Sequence, residues 1–205
     1  MSEPYKVVLV GESGVGKTCI IAQFTSGKFD PSTVSSLTAQ FIRKTLEFPE
    51  GKSLTFDIWD TAGQEKYRSL AKIFYKDAKA VILVYDVTNE KSFTEMKDYW
   101  YEQIKQLGDK DIIPTIAANK SDLYQEKQVA NETEEKFANQ IGAILLQLRP
   151  KMTVGFKPCL ITSVKKYLIQ ISTSLLLRRK RKTNIKRKNN KKIIKQKKRL
   201  IKELK

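Results

Sequence analysis

Over the first 147 residues, short apolar runs alternate with stretches of helical period. Tyr5–Val10 is an apolar run interrupted only by Lys6 and closed by a glycine, which reads as a buried parallel strand. Residues 18–25 follow as a short helix, with Gly27 as its stop. Residues 37–48 and 53–59 pattern as a hairpin: Leu54, Phe56 and Ile58 alternate with polar positions, and Pro49-Glu50-Gly51 supplies the turn. Residues 80–85 form a further continuous apolar run, and Phe93, Met96, Trp100, Ile104 and Leu107 recur at helical spacing. Residues 112–118 are the next strand, with Pro114 near its start. A helix over 132–140 and a last strand over 142–147 complete the series. Strands alternating with helices imply an α/β fold on a mostly parallel sheet with right-handed crossovers.

The pattern degrades after residue 148. Apolar residues at 161, 164, 168, 171 and 175 keep a helical spacing, which either covers one face of the sheet or is accidental. Residues 178–205 are a low-complexity Lys/Arg/Asn/Ile stretch and read as a solvated, self-repelling tail. The expected organisation is an α/β domain over 1–148, a divergent segment over 149–177 and the basic tail over 178–205.

Charge sharpens that division. Residues 1–144 carry a net charge of −3 and residues 145–205 a net of +20, with Glu203 as the sole acid of the second part. A uniformly basic nucleic-acid binder is thereby excluded. With only Cys19 and Cys159 there is no disulfide framework, and without any His there is no His-based triad. The N-terminus lacks the pattern of a signal peptide, and residues 160–177 are too short and too charged to span a bilayer.

Three segments carry chemistry. Gly11-Glu12-Ser13-Gly14-Val15-Gly16-Lys17-Thr18 matches G-x-x-x-x-G-K-[ST] between a strand and a helix. In that setting the backbone N–H groups of Gly11, Ser13, Gly14, Val15 and Gly16, with the helix start at Cys19, wrap a polyphosphate at the positive end of the helix. Lys17 neutralises the terminal phosphates and the Thr18 hydroxyl takes Mg²⁺. Asp60-Thr61-Ala62-Gly63-Gln64-Glu65 follows a strand, so Asp60 can hold Mg²⁺ through water, Gly63 can donate its N–H to the γ-phosphate, and Gln64 can orient the attacking water. Asn119-Lys120-Ser121-Asp122 also follows a strand, and a carboxylate there accepts from guanine N1 and the 2-amino group, a donor pair adenine lacks. Each segment alone could be an ordinary turn; their order and spacing favour the functional explanation.

In that order these segments resemble the Ras-like small GTPases, and Tyr67-Arg68-Ser69-Leu70 and Val84-Tyr85-Asp86-Val87-Thr88 resemble the Rab branch. Ser36-Leu37-Thr38-Ala39-Gln40-Phe41 is most similar to the early-endosomal Rabs. The resemblance implies the P-loop small GTPase fold, with helices on both faces of the sheet. It implies a GTP/GDP switch with Mg²⁺ as cofactor, slow GTP hydrolysis with Gln64 and Lys17 as catalytic residues, and two switch loops, to about Phe41 and from Asp60 to about Lys76. It implies that Phe29 stacks on the base, that Asn119, Lys120 and Asp122 bind it, and that Thr18, Asp60 and Ser36 serve the metal, with Thr38 as the alternative to Ser36. GTPase-activating, exchange-factor and effector proteins would read the switch loops, effectors through an apolar patch of Leu37, Phe41, Trp59, Tyr67 and Leu70. For Trp59, ordinary packing is an equal alternative. The implied location is cytoplasmic, peripheral on endosomal or other membranes.

The sequence departs from the family after the last strand. A Ser-Ala-Lys segment that reads guanine O6 is replaced by Leu148-Arg149-Pro150-Lys151, and the usual closing helix and C-terminal cysteines for prenylation are not recognisable. One inserted base after the Gln147 codon would restore a Thr-Ser-Ala-Lys reading, so a frameshift accounts for these departures; an authentic divergent terminus is the alternative. Without a prenyl anchor, membrane contact falls to the basic tail acting on anionic lipid. The competing functions are an inactive GTPase remnant and an NTP-binding protein whose tail contacts nucleic acid, the latter ranked last.

Overall fold

Apolar runs without alternation must be buried on both faces, and three such runs lie side by side. They are β1 (Tyr5–Val10), β4 (Ala80–Asp86) and β5 (Ile113–Asn119), the strands at the centre of the sheet. The computed structural model describes residues 3–27, 39–48, 52–61, 71–149, 157, 160, 161 and 163, all in one compact unit over residues 1–167. Among them the sheet has six strands in the order β2-β3-β1-β4-β5-β6, with β2 (Gln40–Phe48), β3 (Lys52–Asp60) and β6 (Ile144–Gln147) completing it. Only β2 runs antiparallel, paired with β3 as the hairpin pattern requires. The turn at 49–51 lies outside the described residues.

Alternation on β1 sends Val7 and Leu9 to one face and Val8 and Val10 to the other, seeding two cores. The first is closed by Ile20 and Ile21 of α1 (Lys17–Ser26). The second takes Phe93, Met96, Trp100 and Ile104 from one continuous helical run. That run comprises α3 (Glu90–Glu95), a wider π-turned stretch Met96–Tyr101 and α4 (Glu102–Leu107). Phe137 of α5 (Asn131–Gln140) joins them. Helices therefore flank both faces. A short α2 (Ala71–Tyr75) buries Tyr75 at the rim.

Two strand starts differ from the sequence pattern, each for a local reason. Ile112 donates its N–H back to Asp109, which delays β5 to Ile113. Ile113 N–H bonds Lys79 on the β4 side, so the Pro114 nitrogen faces the β6 side, where pairing begins only at Thr115. The missing donor therefore costs no ladder bond. The expected strand start at 142 is taken by the end of α5: Gly142 and Ala143 donate to Asn139 and Ala138, and β6 begins at Ile144.

The segment after β6 contributes to the first core through positions next to those of the apolar spacing. Leu160 is fully buried there, and the Ser163 and Thr115 hydroxyls share a buried hydrogen bond of 2.8 Å. Ile161, the first position of the apolar spacing, is half-buried. The positions expected at 164, 168, 171 and 175, and the tail over 178–205, lie outside the described residues.

Candidate functional site

Parallel strands in register bring their C-terminal ends to one edge, which is where open α/β sheets bind ligands. Leu9 pairs with Asp60, and Asp86 pairs with Asn119. β1 lies between β3 and β4, so the described parts of the three sequence segments, including Asp60 and Thr61 of the second, meet at this edge.

The phosphate loop fits tightly against its neighbours. A Cβ on Gly11, at φ +150, would lie 2.1 Å from the Val84 carbonyl oxygen of β4. Gly16, at φ +93, places its Cα beside Asn119, where a Cβ would approach Nδ2 to 2.4 Å. Both close approaches demand glycine. Gly16 caps α1 with no side-chain hydrogen bond, and the positive end of such a helix favours an anion. Val15 is anchored in the first core, while Ser13 and Gly14 form the outer turn, with Ser13 N–H donating to Glu12 Oε1 at 3.1 Å. Cys19 is half-buried in the first turn of α1.

Lys17 is 5% exposed, and its Nζ donates to the Gly11 and Glu12 carbonyls, both at 2.9 Å. Burial lowers its pKa from 10.5 to about 8, against the opposing pull of Asp60 and Glu12. Between those values the folded protein gives up a proton that the unfolded chain keeps, so stability rises with pH across that window. Polyphosphate binding needs the ammonium form, so affinity for labelled GDP should fall above pH 8, by up to about tenfold per pH unit. A flat profile in titrations on either side of pH 8 would show that Lys17 does not meet the phosphates.

Thr18 Oγ1 donates to Asp60 Oδ2 at 2.7 Å, and Asp60 is fully buried at the end of β3. A hydroxyl and a carboxylate at this separation, beside a phosphate loop, are the all-oxygen donor set that suits Mg²⁺. Thr61 donates to the Leu9 carbonyl at 2.6 Å and so holds the end of β3 against β1.

Asn119 is 1% exposed, and its Nδ2 donates to the Val15 carbonyl at 2.7 Å. Its buried Oδ1 has no hydrogen-bond partner among the described residues. Lys120 adopts φ +60, and its Nζ lies 2.5 Å from Asp86 Oδ2. Asp86 also accepts from Thr88 N–H and Oγ1 at 2.9 and 2.7 Å. Ser121 donates from both N–H and Oγ to the Leu148 carbonyl, at 3.1 and 2.9 Å, and Leu148 N–H returns to Ala118. Asp122 is half-buried at the mouth of this loop. Sequence reasoning assigned Asp86 no task; the signal for it was its register opposite Asn119.

The sequence matches the Ras family over residues 6–168. The chain belongs to the Ras family. Its relatives include the Ras-related protein Rab-8 of Diplobatis ommata, 33% identical over 83% of this chain and 80% of that protein. Human Rab-8B is 33% identical over 83% of the chain and 82% of its own length. Rat Rab-8A is 35% identical over 77% and 75% respectively. The chain is thus a Ras-like small GTPase of the Rab family, and the family match continues past the departure at 148–151.

The switch loops of this Rab-family chain fall largely outside the described residues. Phe29, Ser36, Leu37, Thr38, Gly63, Gln64, Tyr67 and Leu70 all lie there. From the expected effector patch, Phe41 is 48% exposed and its ring packs tilted against that of Trp59, with centroids 5.0 Å apart. Trp59 is half-buried, also meets Phe74 at 5.9 Å and lies under Lys6 Nζ. Lys6 in turn donates to the Ile73 and Lys76 carbonyls beyond β1. Among the described residues, no helix is long and apolar enough to cross a membrane.

Proposed function

We propose that this chain is a molecular switch that binds Mg²⁺ with GTP or GDP and hydrolyses GTP slowly, and that it serves vesicle traffic in the endosomal system. The observation that carries the proposal is the tie between the phosphate loop and the base loop through Asn119 and Val15, with Lys17, Thr18 and Asp60 gathered beneath. Lys17 neutralises the terminal phosphates, and the backbone from Gly11 to Gly16 with the start of α1 cradles them. Thr18, Asp60 and Ser36 would hold Mg²⁺, which when bound offsets the charge of the phosphate oxygens. Gly63 and Gln64 are assigned the γ-phosphate and the attacking water. Asn119, Lys120 and Asp122 select guanine while Phe29 stacks on it. Hydrolysis without a partner-supplied arginine is slow, and such a partner accelerates it by about 10³–10⁵.

Support for an intact domain over an inactive remnant comes from Leu160 and Ser163, which close the first core despite the divergent sequence around them. Release of labelled GDP under chase by unlabelled GDP, GTP or ATP tests the function. GDP and GTP are expected to displace the label and ATP to fail; equal displacement by ATP rejects the guanine assignment.

Partners would read the nucleotide state at Phe41 and Trp59. The tail over 178–205 is assigned reversible contact with anionic membranes, each Lys or Arg contributing about 1 kcal/mol near the surface. Sedimentation with anionic vesicles should be lost at high salt, in either nucleotide state. Binding that survives high salt, or that occurs on neutral vesicles, rejects an electrostatic tail.

A further inference from the structure

Behind the base loop lies a polar cluster that no ligand contact accounts for. Glu134 of α5 is 1% exposed, an expensive place for a carboxylate without partners. Its Oε1 lies 2.9 Å from Lys127 Nζ, and its Oε2 accepts from Gln147 Nε2 at 3.1 Å. Lys127 also donates to Asn131 Oδ1 at 2.5 Å, which fixes the ammonium on α5.

The positions of the two partners matter more than the pair itself. Lys127 ends the segment that begins at Asn119 and carries Asp122. Gln147 ends β6, and the next residue, Leu148, accepts both bonds from Ser121. One buried carboxylate thus contacts both chain segments that converge at the base end of the site.

We propose that Glu134 is a positioning residue for base recognition, setting the spacing between the Asn119–Asp122 loop and the segment after β6. It rests on the assignment of that loop to guanine. The Lys127 contact is an ion pair between a buried carboxylate and an ammonium, so Glu134→Gln removes its charge attraction and loosens the Lys127 anchor while conserving shape. The Asp122 carboxylate then meets the 2-amino group less well, and discrimination falls.

The test is the ratio of affinities for GDP and IDP, whose base lacks the 2-amino group, measured on the full chain. In Glu134→Gln the ratio should drop at least about fivefold, the equivalent of one buried hydrogen bond. Gln147→Ala, at an exposed position, should lower it in the same direction and decides the matter if Glu134→Gln does not fold. A merely structural role weakens GDP and IDP together and leaves the ratio within about twofold, which overturns the proposal. Failure of the wild-type chain to bind either nucleotide overturns the guanine assignment itself, and the wild type alone reveals it.

Discussion

Replacing Lys17 with alanine should abolish useful nucleotide binding while leaving the free protein as stable as before, or more so. The side chain is buried, and its ammonium sits on two backbone carbonyls at the centre of the loop. Burial has already lowered its pKa to about 8, so the fold gains little from the charge. A polyphosphate gains a great deal. Losing one partner of a buried, hydrogen-bonded charge pair costs about 2–5 kcal/mol of binding, or roughly 30- to 4,000-fold in Kd. Fluorescent GDP titration read beside a thermal melt separates the two effects. A Lys17→Ala protein that melts normally yet binds within about tenfold of wild type means the phosphates sit elsewhere.

The second large effect is an inversion of base preference. Asp122→Asn replaces one acceptor oxygen with an amide donor at the edge assigned to guanine N1 and the 2-amino group. Xanthine carries an oxygen where guanine carries that amino group, so the variant matches xanthine and mismatches guanine. Each mismatch leaves buried polar groups unpaired, and a shift of about 10²–10³ in the ratio of GDP to XDP affinities is expected. Competition of the two diphosphates against labelled nucleotide measures it. A variant that still prefers GDP would place guanine recognition on other residues.

Much of this site was legible because its chemistry is written in contiguous segments. The phosphate loop announces itself through Gly11, Gly16, Lys17 and Thr18, and the strand–loop–helix setting follows from apolar runs alone. What contiguous reading could not supply was lateral register. Asp86 faces Asn119 across two strands and holds Lys120, a partnership that depends on β4 and β5 being neighbours. Glu134 is less legible still, since its partners lie seven residues before it and thirteen after, on different elements. A charged residue in a run of glutamates reads as a solvated helix face, and only packing reveals which one is buried. The closing segment shows the same limit. Its helical spacing was visible, but Leu160 and Ser163, which the structure buries, stood outside that spacing, because a diluted apolar pattern allows more than one register. Pro114 shows the reverse case: an apparent strand breaker is harmless once its nitrogen faces the side where β6 has not begun.

The bond from Asn119 to the Val15 carbonyl has a thermodynamic consequence. It joins the loop assigned to the base to the loop assigned to the phosphates, with Gly16 pressed against the same amide. Ordering either loop therefore prepays part of the entropy of ordering the other, so guanosine and pyrophosphate supplied as separate molecules would bind with positive cooperativity. The free energy of holding a nucleotide is then not divisible into a base share and a phosphate share. To the phosphate loop the base acts as an effector, delivered in the same molecule as the phosphates it helps to hold.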